Sequence, residues 1–191
     1  MRISMVTIVL FTALSLPAAA TDYVVTYDGT AAPTPIHGYL SDQIGTGDPV
    51  FERPDAGPLT GMSACLDPHD GGNFRYETIT FTNDSDYEIT VDVDVSNGIC
   101  NVTHDSMVFG YTPSFDANNP IANCFAAQDD SGDGGTCSLF VSPVFAHESN
   151  VYVITSYGAN QLWPWTATFT VHDLFQDDFE CASADDFNCQ D

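Results

Sequence analysis

Asp129, Ser131 and Asp133, followed by Gly134 and Gly135, place oxygen-bearing side chains at alternate positions of an acidic stretch, residues 123–139, N-C-F-A-A-Q-D-D-S-G-D-G-G-T-C-S-L. Alternate side chains of a tight loop can converge on one hard cation, and glycine permits the sharp turn. An EF-hand is excluded, because its twelfth position falls on Phe140 instead of a bidentate glutamate and the flanks read as strands. What the pattern supports is a looser calcium site built from Asp129, Asp130, Ser131 and Asp133, completed by backbone carbonyls. The competing reading is a solvated turn whose carboxylates bond their own backbone amides.

Other residues with chemical potential form weaker patterns. The five histidines, His37, His69, His104, His147 and His172, show no H-E-x-x-H spacing, so a zinc protease helix is not expected. Asp67 and His69 lie near Ser63, but the context G-M-S-A-C is not the G-x-S-x-G of a nucleophile elbow. A small hydrolase using Asp67 and His69 therefore stands as an alternative only. Trp163 precedes Pro164, which favours an extended backbone, and it is the candidate for an exposed ligand platform. Its competing role is a lid over the end of the core. Trp165 instead alternates with Ala167, Phe169 and Val171 on one apolar face.

The elements that must position these residues are strands. Residues 75–83 and 87–95 alternate apolar and polar: Ile89, Val91, Val93 and Val95 share one face, and Thr90, Asp92 and Asp94 the other. The turn at residues 83–86, N-D-S-D, makes a hairpin the simplest connection between them. Further strands are expected at 22–27, 106–111, 121–127, 138–144, 150–156 and 165–173. Residues 123–139 would then form a hairpin-like unit around the acidic loop. From 30 to 61 the chain is rich in Pro, Gly, Thr and Asp, and reads as loop-rich structure lying over the domain. Many short strands separated by turn residues predict an all-β fold, an antiparallel sandwich with jelly-roll-like topology.

Residues 1–20 read as a secretory signal peptide: Arg2, an apolar run, then small residues at P-A-A-A. That run is shorter than the roughly 20 residues a spanning helix needs, so no membrane insertion is expected. The chain has 27 acidic residues against three basic ones, a net charge of −24, and no lysine. Such a surface repels phosphate backbones and anionic lipids, which sets nucleic-acid and lipid-surface roles aside. It also repels itself unless salt or bound cations screen it.

Six cysteines, Cys65, Cys100, Cys124, Cys137, Cys181 and Cys189, fit an exported, disulfide-stapled protein. Six allow 15 pairings, and the local set, Cys124 with Cys137, Cys181 with Cys189 and Cys65 with Cys100, is the expected one. The domain reading is a signal peptide (1–20), a β segment and loop (21–46), a sandwich (47–173) and an acidic tail (174–191).

Several spaced motifs resemble a known family. G-D-P-V-F-E-R-P at 47–54, Y-E-T-I-T-F-T at 76–82, D-S-M-V-F-G-Y at 105–111, F-D-A-N-N-P-I-A-N at 115–123, A-A-Q-D-D at 126–130 and W-T-A-T-F-T-V at 165–171 resemble secreted bacterial modules of the pre-peptidase C-terminal type. The ending L-F-Q-D-D-F-E resembles a short tail motif of exported bacterial proteins. The resemblance implies a jelly-roll-like accessory module that is not itself catalytic. Here no hydrolase domain accompanies it, so the expected role is to bind or decorate an extracellular polymer or protein. A structural subunit assembling through open sheet edges is the third alternative.

Overall fold

The computed structural model describes residues 22–27, 38–44, 47–56, 63–96, 105–130, 137–159 and 163–172. They form β1 (Asp22–Tyr27), β2 (Gly38–Ile44), β3 (Val50–Ala56), β4 (Cys65–Asn83), β5 (Ile89–Ser96), β6 (Ser106–Tyr111), β7 (Cys124–Gln128), β8 (Ser138–Val144), β9 (Ser149–Ser156) and β10 (Trp163–His172). One sheet runs β1-β4-β9-β6-β7, with β3 on β4 as well, and the other runs β2-β10-β5-β8. The fold is an all-β sandwich, and most connections cross from one sheet to the other in the jelly-roll manner. No helix among the described residues is long and apolar enough to cross a membrane.

The alternating strands bury their apolar faces against each other across the sandwich. Ile79, Phe81, Tyr152 and Ile154 of the first sheet meet Val91, Val93, Phe140, Trp165, Ala167 and Phe169 of the second in one cluster of buried side chains. Phe81 and Phe169 stack with ring centroids 5.9 Å apart. This packing explains why residues 83–86 do not close a hairpin. β4 pairs with β9, and β5 pairs with β10 and β8, so the turn carries the chain between sheets. Two amphipathic strands with one apolar face each bury more surface facing one another than lying side by side. Buried Asn83 holds the crossover. Its Oδ1 accepts from Ser85 N at 3.0 Å, and its Nδ2 donates to Tyr87 O at 2.8 Å and Val144 O at 3.0 Å.

A second cluster lies on the outer face of the first sheet, where Phe51, Phe74, Tyr76, Met107, Phe109, Tyr111 and Val153 are buried, with Phe115 packed against them. β6 is consequently buried on both faces. Tyr111 also donates from its hydroxyl to Pro120 O at 2.9 Å, anchoring the segment after β6. The covering layer is partly the stretch expected to be loop, since β3 pairs antiparallel with the first half of β4; β2, from the same stretch, joins β10 in the second sheet. With β1 parallel to β4, the strands of residues 21–46 belong to the sandwich itself.

The acidic stretch is not a hairpin either. β7 is an edge of the first sheet and β8 an edge of the second, so the connection between Gln128 and Ser138 is an arch that joins the two sheets. Cys124 opens β7, four residues before Gln128, whereas Cys137 follows the arch. At about 3.3 Å of rise per strand residue they sit too far apart to bond. Cys124 instead bonds Cys65 at a Cα separation of 6.1 Å, and Cys137 is disulfide-bonded elsewhere. The expected pairings of Cys124 with Cys137 and of Cys65 with Cys100 are thereby corrected. The antiparallel bridge between Ser63 and Ala127 brings the start of β4 against β7 and so sets Cys65 beside Cys124. Cys100, Cys181 and Cys189 lie outside the described residues, as do the signal peptide and the tail.

Candidate cation site at the arch

The sites expected from sequence fare differently. Asp129 and Asp130 come together at the start of the arch, while Ser131 and Asp133 lie outside the described residues. Asp67 and His69 belong to the backbone of β4, but their side chains are not among those described. The Trp163 backbone opens β10, and its side chain is likewise not described.

The structure adds Asp105. Ligand oxygens of Asp105, Asp129 and Asp130 all lie within 4.8 Å of one another. The register of the first sheet produces this grouping. Val108 of β6 faces Gln128 of β7, so the residues before β6 lie opposite those after β7. Tyr157 N donates to Asp105 O at 2.9 Å and fixes the entry to β6. Sequence reading missed Asp105 because it paired residues 121–127 with 138–144. Pairing 106–111 with 124–128 would have found it.

Buried serines fasten this end of the sandwich. Ser138 N donates to Ser106 Oγ at 2.9 Å, and Ser106 Oγ donates to Val95 O at 3.3 Å, tying β8 and β5 to β6 across the two sheets. Ser138 Oγ lies 2.7 Å from Ser106 O and 2.6 Å from Asp129 O, and its single proton serves one carbonyl at a time. The arch therefore leaves the sheet at a fixed point, and with it the Asp129 backbone.

Two further groups complete the surroundings. Gln128 is 3% exposed, and its Nε2 donates to Asp130 O at 2.5 Å. Its Oε1 has no hydrogen-bond partner, although buried polar atoms are rarely left without one. Arg53, also buried, stacks its guanidinium 4.1 Å over the Phe74 ring, contacts Met107 Sδ and donates from Nη1 to Ser156 O at 3.1 Å. Burial and the neighbouring Asp130 push the Asp105 carboxyl up to about 6, and Arg53 draws it part of the way back. The cluster thus combines three carboxylates with one nearby cation, and the Gln128 side chain that holds the Asp130 carbonyl keeps an amide oxygen without a partner. Oxygens of this kind hold a hard divalent cation.

No family model matches the chain, and no curated relative matches it. Among solved structures it is similar to Aeromonas hydrophila PliG, a periplasmic lysozyme inhibitor of g-type lysozyme, with 11% identity and a TM-score of 0.40 over 79% of this chain and 99% of that one. A likeness at that level carries no argument about this chain.

Proposed function

We propose that the chain is an exported, non-catalytic β-sandwich module that binds an extracellular protein or polymer, with calcium holding its acidic arch. The observation that carries the calcium is the grouping of Asp105, Asp129 and Asp130 within 4.8 Å, next in the chain to buried Gln128, whose Oε1 has no hydrogen-bond partner. Three carboxylates offset by Arg53 leave about two negative charges, which suits a divalent ion. Calcium fits better than magnesium, because it accepts irregular sets of six to eight oxygens whereas magnesium demands a near-ideal octahedron. The ion lowers the mutual repulsion of the carboxylates and rigidifies the arch; it does no chemistry.

Export is supported by the leader-like start of the sequence and by the disulfides. The spaced motifs at 47–54, 76–82, 105–111, 115–123, 126–130 and 165–171 support the accessory-module reading, since those within the described residues fall on strands β3, β4, β6, β7 and β10 and on the segment after β6.

Thermal unfolding with calcium, magnesium or chelator tests the cation. Sites on extracellular modules bind calcium with dissociation constants of about 0.1–1 mM, so roughly 10 mM calcium should stabilise by about 1.4–2.7 kcal/mol. For a domain of this size that is a rise of roughly 3–10 °C in Tm. The rise should be smaller with magnesium and disappear in D105N/D130N. An unchanged Tm, together with no calorimetric heat of calcium binding, removes the cation from the proposal.

A further inference from the structure

β8 departs from the rule that the outer face of a sandwich strand is polar. Its buried and exposed residues alternate strictly, and the exposed ones are Leu139, Val141 and Pro143, followed just past the strand by Phe145. Leu139 is 38% exposed, Val141 37% and Phe145 53%. Among the described residues β8 pairs only with β5, so this row stands at the edge of its sheet.

The neighbouring row is of opposite character. Asp94 lies directly across from Leu139, Asp92 from Val141 and Thr90 from Pro143. Opposed side chains in such a ladder stand about 5 Å apart, and residues i and i+2 repeat every 6.7 Å or so. The outer face of this edge therefore carries two parallel stripes, one apolar and one anionic, with the same repeat. Beyond them β10 contributes Thr168, Thr170 and His172, and His172 Nε2 lies 2.9 Å from Asp92 Oδ2. Burial raises the Asp94 carboxyl above its ordinary value, as partial desolvation beside an apolar row would.

We propose that this double stripe docks an extended segment of a partner protein in which apolar residues alternate with Lys or Arg. A segment lying along the seam directs successive side chains to opposite sides, so apolar ones cover Leu139, Val141 and Phe145 while cationic ones reach Asp92 and Asp94. Charge selects this occupant over two others. A second copy of the chain brings the same aspartate row and a net charge of −24. Residues 174–191 contain no Lys or Arg and six acidic residues, Asp177, Asp178, Glu180, Asp185, Asp186 and Asp191, so they too are repelled. Edge-on strand addition is also restricted, since Pro143 has no N–H to offer a ladder.

The test uses three capped nonapeptides at about 150 mM salt, where distant charge effects are largely screened. The first alternates Lys and Val, the second holds the same residues as a lysine block and a valine block, and the third alternates Glu and Val. The alternating Lys peptide should bind at least about tenfold tighter than the block peptide, and the Glu peptide should not bind. L139T/V141T and D92N/D94N, at solvent-facing positions and checked by circular dichroism, should each weaken the alternating peptide about tenfold. Equal binding of the block and alternating peptides, or unchanged binding to both variants, overturns the proposal and leaves only general attraction to an acidic protein. Self-association that L139T/V141T abolishes overturns it in favour of a second copy. Because the aspartates of the cation site are untouched in these variants, calcium stabilisation persists whichever way the peptides behave.

Discussion

The indole Nε1 of Trp165 donates to Glu77 Oε2 at 2.6 Å, joining β10 of one sheet to β4 of the other through the middle of the core. A carboxylate in an apolar interior is costly unless it is hydrogen-bonded, and this donor reaches it from the facing sheet. The bond sets the relative position of the two layers as well as stabilising them. Tyr23 packs edge-on against the same indole at 5.7 Å, so the pair also anchors β1.

Replacing Trp165 by Phe removes that donor from a buried carboxylate and opens space in the core. The expected cost is about 3–5 kcal/mol in urea unfolding. E77Q keeps an acceptor for the indole and should cost less. A double-mutant cycle through E77L and W165F should show coupling of about 1–3 kcal/mol, and additivity would mean that the bond does not join the sheets energetically.

Gly110 is demanded by space. A Cβ there would sit 2.5 Å from Phe125 Cζ and 2.6 Å from Phe140 Cζ. Gly110→Ala should therefore destabilise by about 1–3 kcal/mol through overpacking. Phe125 is 38% exposed at the sheet edge and can be trimmed, so Phe125→Leu should recover only part of the loss when combined with Gly110→Ala, because the contact with fully buried Phe140 remains. Melting curves of the single and double variants decide this.

The disulfide from Cys65 to Cys124 closes a separation of 59 residues. On loop entropy its removal in C65S/C124S should cost about 4 kcal/mol. The effect should concentrate on the second cluster, because both cysteines pack against it. Faster hydrogen exchange in β3 and the first half of β4, with β5 and β10 little changed, is the expected pattern; uniform acceleration would contradict it.

Acid should stabilise the cation-free protein over one window. The folded Asp105 carboxyl lies at about 6, above its ordinary 3.8, so the native state binds more protons than the unfolded state between those values. That contribution is fully present below 3.8 and is lost as pH rises through 6. In chelator, Tm should therefore fall from pH 5 to pH 7.5, D105N should flatten the fall, and calcium should reverse it at pH 7.5 by using the ionised form. A D105N profile that matches the parent would assign the pH dependence to other groups.

Strict period-two alternation made most of the strands legible. The expected spans 22–27, 106–111 and 138–144 coincide with β1, β6 and β8. β2, β3 and the first half of β4 were not legible. Pro54 and Pro68 face each other where the β3–β4 ladder shifts register, and Gly71 and Gly72 lie within β4, so composition there reads as loop while pairing makes strand. Partner choice was hidden as well, because alternation marks a strand's apolar face but not the strand beside it. The same gap explains the site. Asp129 and Asp130 stood out as neighbours in sequence, but Asp105 joins them only through the pairing of β6 with β7. The exposed row on β8 was readable as alternation too, yet Leu139 and Val141 show as outward-facing only once Ser138, Phe140 and Ser142 are known to point in.

β10 lies between β2 and β5 in its sheet, pairing with residues as early as Gly38 on one side and with β5 on the other. Until the polypeptide is complete through His172, β2 lacks its neighbour and the central core lacks Trp165, Ala167 and Phe169. Closure of the core therefore rests on contacts far apart along the backbone, the kind of topology in which ordering the chain precedes the contacts that reward it.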